Sequence, residues 1–399
     1  MNSCLICINF HAMQKIITFM LAILPFGLFG QVWERDPEES AYYLNYPGQA
    51  QFRNCIKAPD MSVYVISTHG LAWAPTEALI SRIEPNGNVS VYKKMDGYFT
   101  DGPAYCFNNK FYVLSGITQH NNSMKMHVYD LKWEVNKPVY IPRPDESQSK
   151  ISKFLVNKNE NIYFFTNGIG CCKSPVIPPS YVYAYDSTGR LLNAIAFANT
   201  TIMDISNTGS GLQVVMIKNE GKAWPSNDSA VTVDTDMMLN IRGRKAEKVP
   251  DADIKNITLL SNGSKIFYHA SIATEKGTGL SLKNRQGETA WLYPNRVGVQ
   301  YFEPLELSNG NLLFGVDRRE RYEEVLFGNR GAAVDTLSYE MYSPNGDRRM
   351  IKALLAHSIY NTRRSSSFYV EGRRNQLYAF YEKGNFNKEK LYFMKLSLW

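Results

Sequence analysis

Apolar and aromatic residues along this chain come in short runs cut by polar turns, and almost nowhere do they repeat at the 3.6-residue spacing of a helix. One kind of run recurs throughout: Val63-Tyr64-Val65, Phe111-Tyr112-Val113, Ile162-Tyr163-Phe164, Leu212-Gln213-Val214, Ile266-Phe267-Tyr268, Leu312-Leu313-Phe314 and Leu377-Tyr378-Ala379. Turns such as Asn108-Asn109-Lys110, Asn159-Glu160-Asn161, Gly209-Ser210-Gly211, Asn262-Gly263-Ser264 and Asn309-Gly310-Asn311 stand just ahead of these runs. Asn and Gly accept positive φ at little cost, which is what a tight hairpin requires. A second turn follows the next strand, at Pro85-Asn86-Gly87, Ser187-Thr188-Gly189, Arg285-Gln286-Gly287 and Pro344-Asn345-Gly346. Gly87, Gly189 and Gly287 are spaced by about 100 residues, two periods of about 50. The intervening copies fall at Tyr129-Asp130 and Val233-Asp234.

The unit is therefore strand, tight turn, strand, long loop, strand, tight turn, strand. Its even recurrence predicts an all-β fold, a single β-propeller of about seven four-stranded blades spanning residues 31–399. The last copy ends at Lys390-Leu391-Tyr392-Phe393-Met394 with no room for a fourth strand, so Ala41-Tyr42-Tyr43-Leu44 is expected to supply it. That pairing closes the ring between the termini and leaves no open sheet edge there. Only Arg318 to Phe327 has a brief helical pattern.

Tyr181-Val182-Tyr183-Ala184-Tyr185-Asp186-Ser187-Thr188-Gly189-Arg190-Leu191-Leu192 resembles the blade motif of PQQ-like, YncE-type and NHL-type propellers. Gly287-Glu288-Thr289-Ala290-Trp291 is similar to the Gly-to-Trp ending of the PQQ-type repeat. The resemblance covers nearly the whole chain after residue 30 and implies architecture rather than a particular activity. The tryptophan docking motif that repeats in quinoprotein propellers is matched once, at Trp291, and the repeated Ser-x-Asp-x-Gly-x-Thr-Trp boxes of sialidases are missing.

Composition narrows the classes further. Of 399 residues, 44% are hydrophobic and 13% aromatic, ample for a core. The net charge of +7 is small for this length and is not gathered into a patch, so no nucleic-acid partner is expected. At the N-terminus Lys15, the apolar run Ile16 to Leu24, the breakers Pro25 and Gly27, and Gly30 before Gln31 read as a signal peptide over residues 1–30. Met13 is the more natural start for such a leader. The apolar run is shorter than the roughly 20 residues a spanning helix needs, and no transmembrane segment is expected after it. The expected location is secreted or periplasmic.

The tight turns share one face of such a ring, which leaves the long loops on the other. Function is expected there, on loops held by a rigid scaffold. The expected long loops are Thr68 to Ala78, Gly116 to Met124, Asn167 to Ser180, Asn219 to Ala230, Ala270 to Thr278 and Asp317 to Thr336. Trp73 and Trp224 are candidate stacking platforms for sugar or peptide, or else buried loop anchors. His69 and His269 each follow the second strand of a blade, at equivalent positions by this reading, as a shared acid–base pair or as hydrogen-bonded loop residues. No third ligand accompanies them, so no metal and no cofactor are expected. Arg318 and Arg321 lie in Arg318-Arg319-Glu320-Arg321-Tyr322-Glu323-Glu324, either an anion clamp that Arg363-Arg364 would extend or a self-paired solvated turn.

Cys171 and Cys172 are adjacent. They form a strained vicinal disulfide, pair elsewhere, or remain free. The ring such a pair makes is the kind found under the cofactor in quinoprotein dehydrogenases. Cys55 and Cys106 are placed in the innermost strands of neighbouring blades, which are not hydrogen-bonded partners, so independent burial is expected rather than a bridge. With no nucleophile, triad or metal cluster in the pattern, the expected function is non-enzymatic binding of a glycan, peptide or protein partner on the long-loop face. The alternative is a glycan-directed hydrolase or lyase, or another propeller enzyme, acting at the central mouth.

Overall fold

The computed structural model describes residues 32–37, 41–45, 49–71, 74–96, 103–117, 123–142, 151, 153–168, 178–218, 229–248, 253–270, 277–297, 299–319, 335–356, 368–373, 375–383 and 390–398. They form seven antiparallel sheets arranged as a seven-bladed β-propeller. Blade one runs Gln49–Lys57, Val63–Leu71, Ala74–Ile83, Val89–Asp96; blade two Ala104–Phe107, Lys110–Ile117, Ser123–Asp130, Val135–Pro142. Blade three runs Phe154–Val156, Ile162–Thr166, Ser180–Tyr185, Leu191–Phe197, and blade four Thr200–Asn207, Gly211–Lys218, Ser229–Asp236, Ile241–Lys248. Blade five runs Asp253–Leu259, Lys265–Ala270, Gly277–Lys283, Thr289–Val297. In blade six the first strand is split into Val299–Tyr301 and Leu305–Glu306, followed by Leu312–Arg319, Asp335–Tyr342 and Arg348–Ala356. Blade seven takes Phe368–Glu371, Gln376–Lys383 and Lys390–Ser397 from the C-terminal end.

Each recurrent run singled out in the sequence is the second strand of a blade. The turn glycines adopt the positive φ that their positions require, for example +93° at Gly346. The expected ring closure is also present: Ala41–Asn45 joins blade seven as its fourth strand, with Tyr42 opposite Phe393 and Tyr43 opposite Tyr392. A fifth strand, Val32–Asp36, was not anticipated. It pairs outside Ala41–Asn45 and turns Trp33 into the core between blades seven and one, where its Nε1 donates to Ser81 Oγ at 3.0 Å.

Both faces of every blade meet a neighbour, so the middle strands are apolar throughout rather than alternating; Gly211–Lys218 is buried at every position but the last. The described residues form seven hydrophobic clusters, one at each junction between blades. The first strands of successive blades adjoin and surround the axis. Outer strands are tied to the next blade's turn by side chains that donate to turn carbonyls: Lys93 to Trp133, Asn193 to Met238, Lys245 to Gln286 and Tyr293 to Gly346. Among the described residues no helix is long and apolar enough to cross a membrane.

Candidate functional site

The innermost strands carry a repeated irregularity that aims polar groups at the axis. In blades one, four and five the ladder slips at Phe52/Asn54, Ile202/Asp204 and Ile254/Asn256. At each bulge the Asn or Asp side chain accepts the next residue's backbone N–H, at 2.8, 2.7 and 2.9 Å. A bulge frees backbone groups from the ladder, and these side chains satisfy them. Blade four departs from its two counterparts by placing a charge in this position.

Asp204 reaches beyond its own blade. Besides Ile205 N, it accepts Leu259 N of blade five at 2.8 Å and Lys153 Nζ of blade three at 2.9 Å. Its side chain is 6% exposed and that of Lys153 31% exposed, so the carboxylate is embedded while the ammonium reaches solvent. One acid thus joins three consecutive blades at their inner edges.

Glu303 of blade six belongs to the same group. Its carboxyl is held above the usual range by burial, with Lys153 lowering it and Asp204 raising it. Glu303 is nonetheless accessible to solvent. Both hold for a side chain with protein on most sides that still reaches solvent. Blades three and six lie on different sides of the ring, so charges that sense one another from them meet at the axis. Among the described residues the Glu303 carboxylate makes no hydrogen bond or ion pair.

Glu303 is placed there by the break in blade six's first strand. Pro304 has no N–H to give a ladder, and Tyr369 of blade seven fills the gap by donating to Glu303 O and accepting Gly315 N at 3.0 Å. The Tyr369 and Tyr268 hydroxyls are raised by burial and, further, by Glu303. Tyr105 of blade two is also raised, by burial first, while Lys153 acts in the opposite direction; the residue is 37% exposed. The axial group therefore comprises an ammonium, an embedded carboxylate, an accessible carboxyl and tyrosines, from six blades.

The residues expected from the sequence fare differently. His69 does not lie in a loop: it is inside the strand Val63–Leu71, paired with Glu77, because Ala74–Ile83 begins much earlier than expected and the connection shortens to 72–73. His69 is 1% exposed, its Nε2 is 2.8 Å from Ser67 Oγ, and burial lowers it to about 4. His269 likewise sits in a strand, Lys265–Ala270, 2.7 Å from Ser281 Oγ, and burial lowers it too. The two are not equivalent. The ladders align His269 with Ser67, and the two histidines face different junctions, seven–one and four–five. The structure does not bring the two histidines together. No group of three or more metal-ligating side chains occurs among the described residues.

Arg318, expected in a brief helix within a long loop, is in the strand Leu312–Arg319, opposite Thr336. Arg321, Arg363, Arg364, Trp73, Trp224 and the Cys171–Cys172 pair lie outside the described residues, as does the leader over residues 1–30. Cys55 and Cys106 are in adjacent first strands as expected, both free and pushed up by burial, to about 12 and about 11. Sequence reasoning missed Lys153, Asp204, Glu303 and the tyrosines. The signal for Asp204 was present, a single acid inside the strand Thr200–Asn207, at the position that Asn54 and Asn256 hold in blades one and five.

No family model matches the chain, and no curated protein matches it. Among solved structures it is similar to polysaccharide lyase Uly1, at 9% identity and a TM-score of 0.48 over 87% of this chain and 90% of that one. It is also similar to a hypothetical selenium-binding protein from Sulfolobus tokodaii (8%, 0.46, 79% and 96%). A protein of unknown function from Bacteroides caccae is a third (13%, 0.39, 69% and 84%). Likeness at this level carries no argument about chemistry.

Proposed function

We propose that this protein is an exported, non-enzymatic propeller that binds a glycan, peptide or protein partner where the axial channel opens on the long-loop face. The observation that supports this reading is the convergence of Lys153, Asp204, Glu303 and Tyr105 on the axis from four blades, with Glu303 unengaged by the described residues. A scaffold that needed only stability has no use for an accessible carboxyl there, since burial makes it costly to ionise. The lone Lys153 charge is already matched by Asp204, so Glu303 leaves the group acidic. That balance favours a neutral hydroxylated or an amine-bearing end of the ligand over an anionic one, with the Tyr105 ring as a stacking surface.

The test is binding of the secreted chain to arrays of neutral, amino and acidic glycans and of basic and acidic peptides. Glu303→Gln and Tyr105→Ala are expected to weaken the ligand found by roughly tenfold or more, as loss of a charged hydrogen bond or a stacked ring does. Binding unaltered by both substitutions rejects the axial reading. Export is tested separately, by N-terminal sequencing of the secreted form, for which Gln31 is the expected first residue.

A second reading has one observation in its favour. A carboxyl raised in a channel beside a Lys–Asp pair is suited to donate a proton, as a glycan-directed hydrolase or lyase requires. Turnover of any glycan that is lost in Glu303→Gln, with its acid limb shifted, supports this reading instead.

A further inference from the structure

The axial group has donors that are already engaged and one acceptor that is not. The Tyr268 hydroxyl donates to Phe302 O at 3.3 Å and the Tyr369 hydroxyl to Glu303 O. Both phenols are thus committed to backbone carbonyls in the break of blade six's first strand. Lys153 Nζ is held by Asp204 at 2.9 Å, which cancels its charge. What remains is the Glu303 carboxyl, accessible to solvent and without a hydrogen bond or ion pair among the described residues.

Four groups face Glu303: Lys153 just ahead of blade three's first strand, Asp204 of blade four, Tyr268 of blade five and Tyr369 of blade seven. Burial raises both phenols, so they stay neutral near physiological pH. With Lys153 and Asp204 cancelling, an ionised Glu303 is the unmatched charge of this group. A carboxylate in such surroundings is costly to ionise alone, and an incoming cation offsets that cost. Its hydrogen-bond capacity is that of an acceptor, so the fitting group is a donor that carries positive charge.

The surroundings distinguish between two carriers of such a group. Glu303 stands in the gap between Val299–Tyr301 and Leu305–Glu306, part-way along the strand, so a ligand must reach past the strand's first residues. An amino sugar would bring several hydroxyls with it. Among the described axial groups, the committed phenols leave the outward N–H bonds of Lys153 to receive them. A lysine stem carries no polar atom besides its ammonium, so it loses no other hydrogen bond on entering. Tyr105, which senses Lys153 as Glu303 does, adds an exposed aromatic ring that suits a methylene stem and a cation. Resting on the axial reading given above, we propose that the occupant is a lysine side chain of a peptide or protein partner, its ammonium donating to the Glu303 carboxylate.

The experiment is titration calorimetry of the intact mature chain with oligolysine, its Nζ-acetylated counterpart and a neutral chito-oligosaccharide, at matched ionic strength. Saturable binding of oligolysine at about pH 8, abolished by acetylation, is the expected result. Lysine keeps its charge down to about pH 5, whereas Glu303 takes up a proton as pH falls through its raised value. The affinity is therefore expected to fall roughly tenfold or more over that range. Glu303→Gln is expected to remove the pH dependence, and Glu303→Asp, which keeps the charge, to retain it. Should Glu303→Gln not fold, the acetylated peptide and the pH dependence of the unaltered chain still decide. Equal binding of the acetylated peptide, an affinity that does not fall with acid, or no binding of oligolysine overturns the proposal. A chito-oligosaccharide bound through Glu303 and Tyr105 instead overturns the lysine and leaves the axial site standing. Oligolysine bound equally well by Glu303→Gln and Tyr105→Ala removes the axial site itself.

Discussion

Lys153 Nζ and Asp204 Oδ1 lie 2.9 Å apart across the inner edges of blades three and four, and the same carboxylate holds Leu259 N of blade five. Removing the acid leaves two backbone N–H groups and an ammonium without their acceptor. Asp204→Ala is therefore expected to lower stability by about 3–5 kcal/mol, and Lys153→Met, whose ammonium is partly solvated, by about 1–2 kcal/mol. Urea unfolding monitored by tryptophan fluorescence measures both; equal small losses would show that the acid does not join the blades.

His69 provides a pH dependence with a definite sign. Its folded value of about 4 lies below the ordinary value of 6.5, so between these limits the unfolded chain binds the extra proton. The stability it contributes is complete above about pH 6.5 and is lost as pH falls through about 4, up to about 3 kcal/mol. His69→Gln is expected to flatten the decline in unfolding free energy between pH 7 and pH 4. An unchanged slope would assign the decline to other groups.

Two glycines separate backbone strain from steric contact. Gly209 has φ +80° with open space around a built Cβ, whereas at Gly346, φ +93°, that Cβ would come within 2.9 Å of Trp291 Cβ and Cγ. Gly209→Ala is expected to cost about 1–2 kcal/mol, the left-handed penalty alone. Gly346→Ala adds the clash, for a total of about 3 kcal/mol or more. Calorimetric unfolding distinguishes them, and equal losses would remove Trp291 from the account.

Ring closure rests on an N-terminal segment. Trp33 is 7% exposed, edge-on to Phe393 at 6.1 Å between ring centres, and bonded to Ser81. Trp33→Ala is expected to cost about 3–5 kcal/mol. Deleting residues 31–45 removes two strands and exposes the edge of Lys390–Ser397, so that protein is expected to associate into oligomers or aggregate, read by light scattering. A well-behaved monomer would show that closure is dispensable.

Much of the scaffold was legible in the chain. The Asn-Gly turns and the runs after them specify hairpins whose partners are near in sequence, and the tail at Lys390–Met394 announced the missing strand that Tyr42 and Tyr43 supply. The strand at Val32–Asp36 was passed over because it lies outside the four-strand repeat and close to the expected leader. His69 and His269 were misplaced for a different reason. Hairpin pairing continues as far as the two chains find partners, and in blade one it runs on to Leu71 and Ala74, so a residue expected beyond a strand end lies inside it.

By itself the sequence determined the repeat, the blade number and the closure, because each depends on local turns and on pairing between neighbours in the chain. The tertiary structure alone decided which polar residues meet. Lys153, Asp204 and Glu303 come from three blades and gather only because first strands surround a common axis. When both faces of a strand are buried, the apolar pattern loses the alternation that would say which way each side chain points.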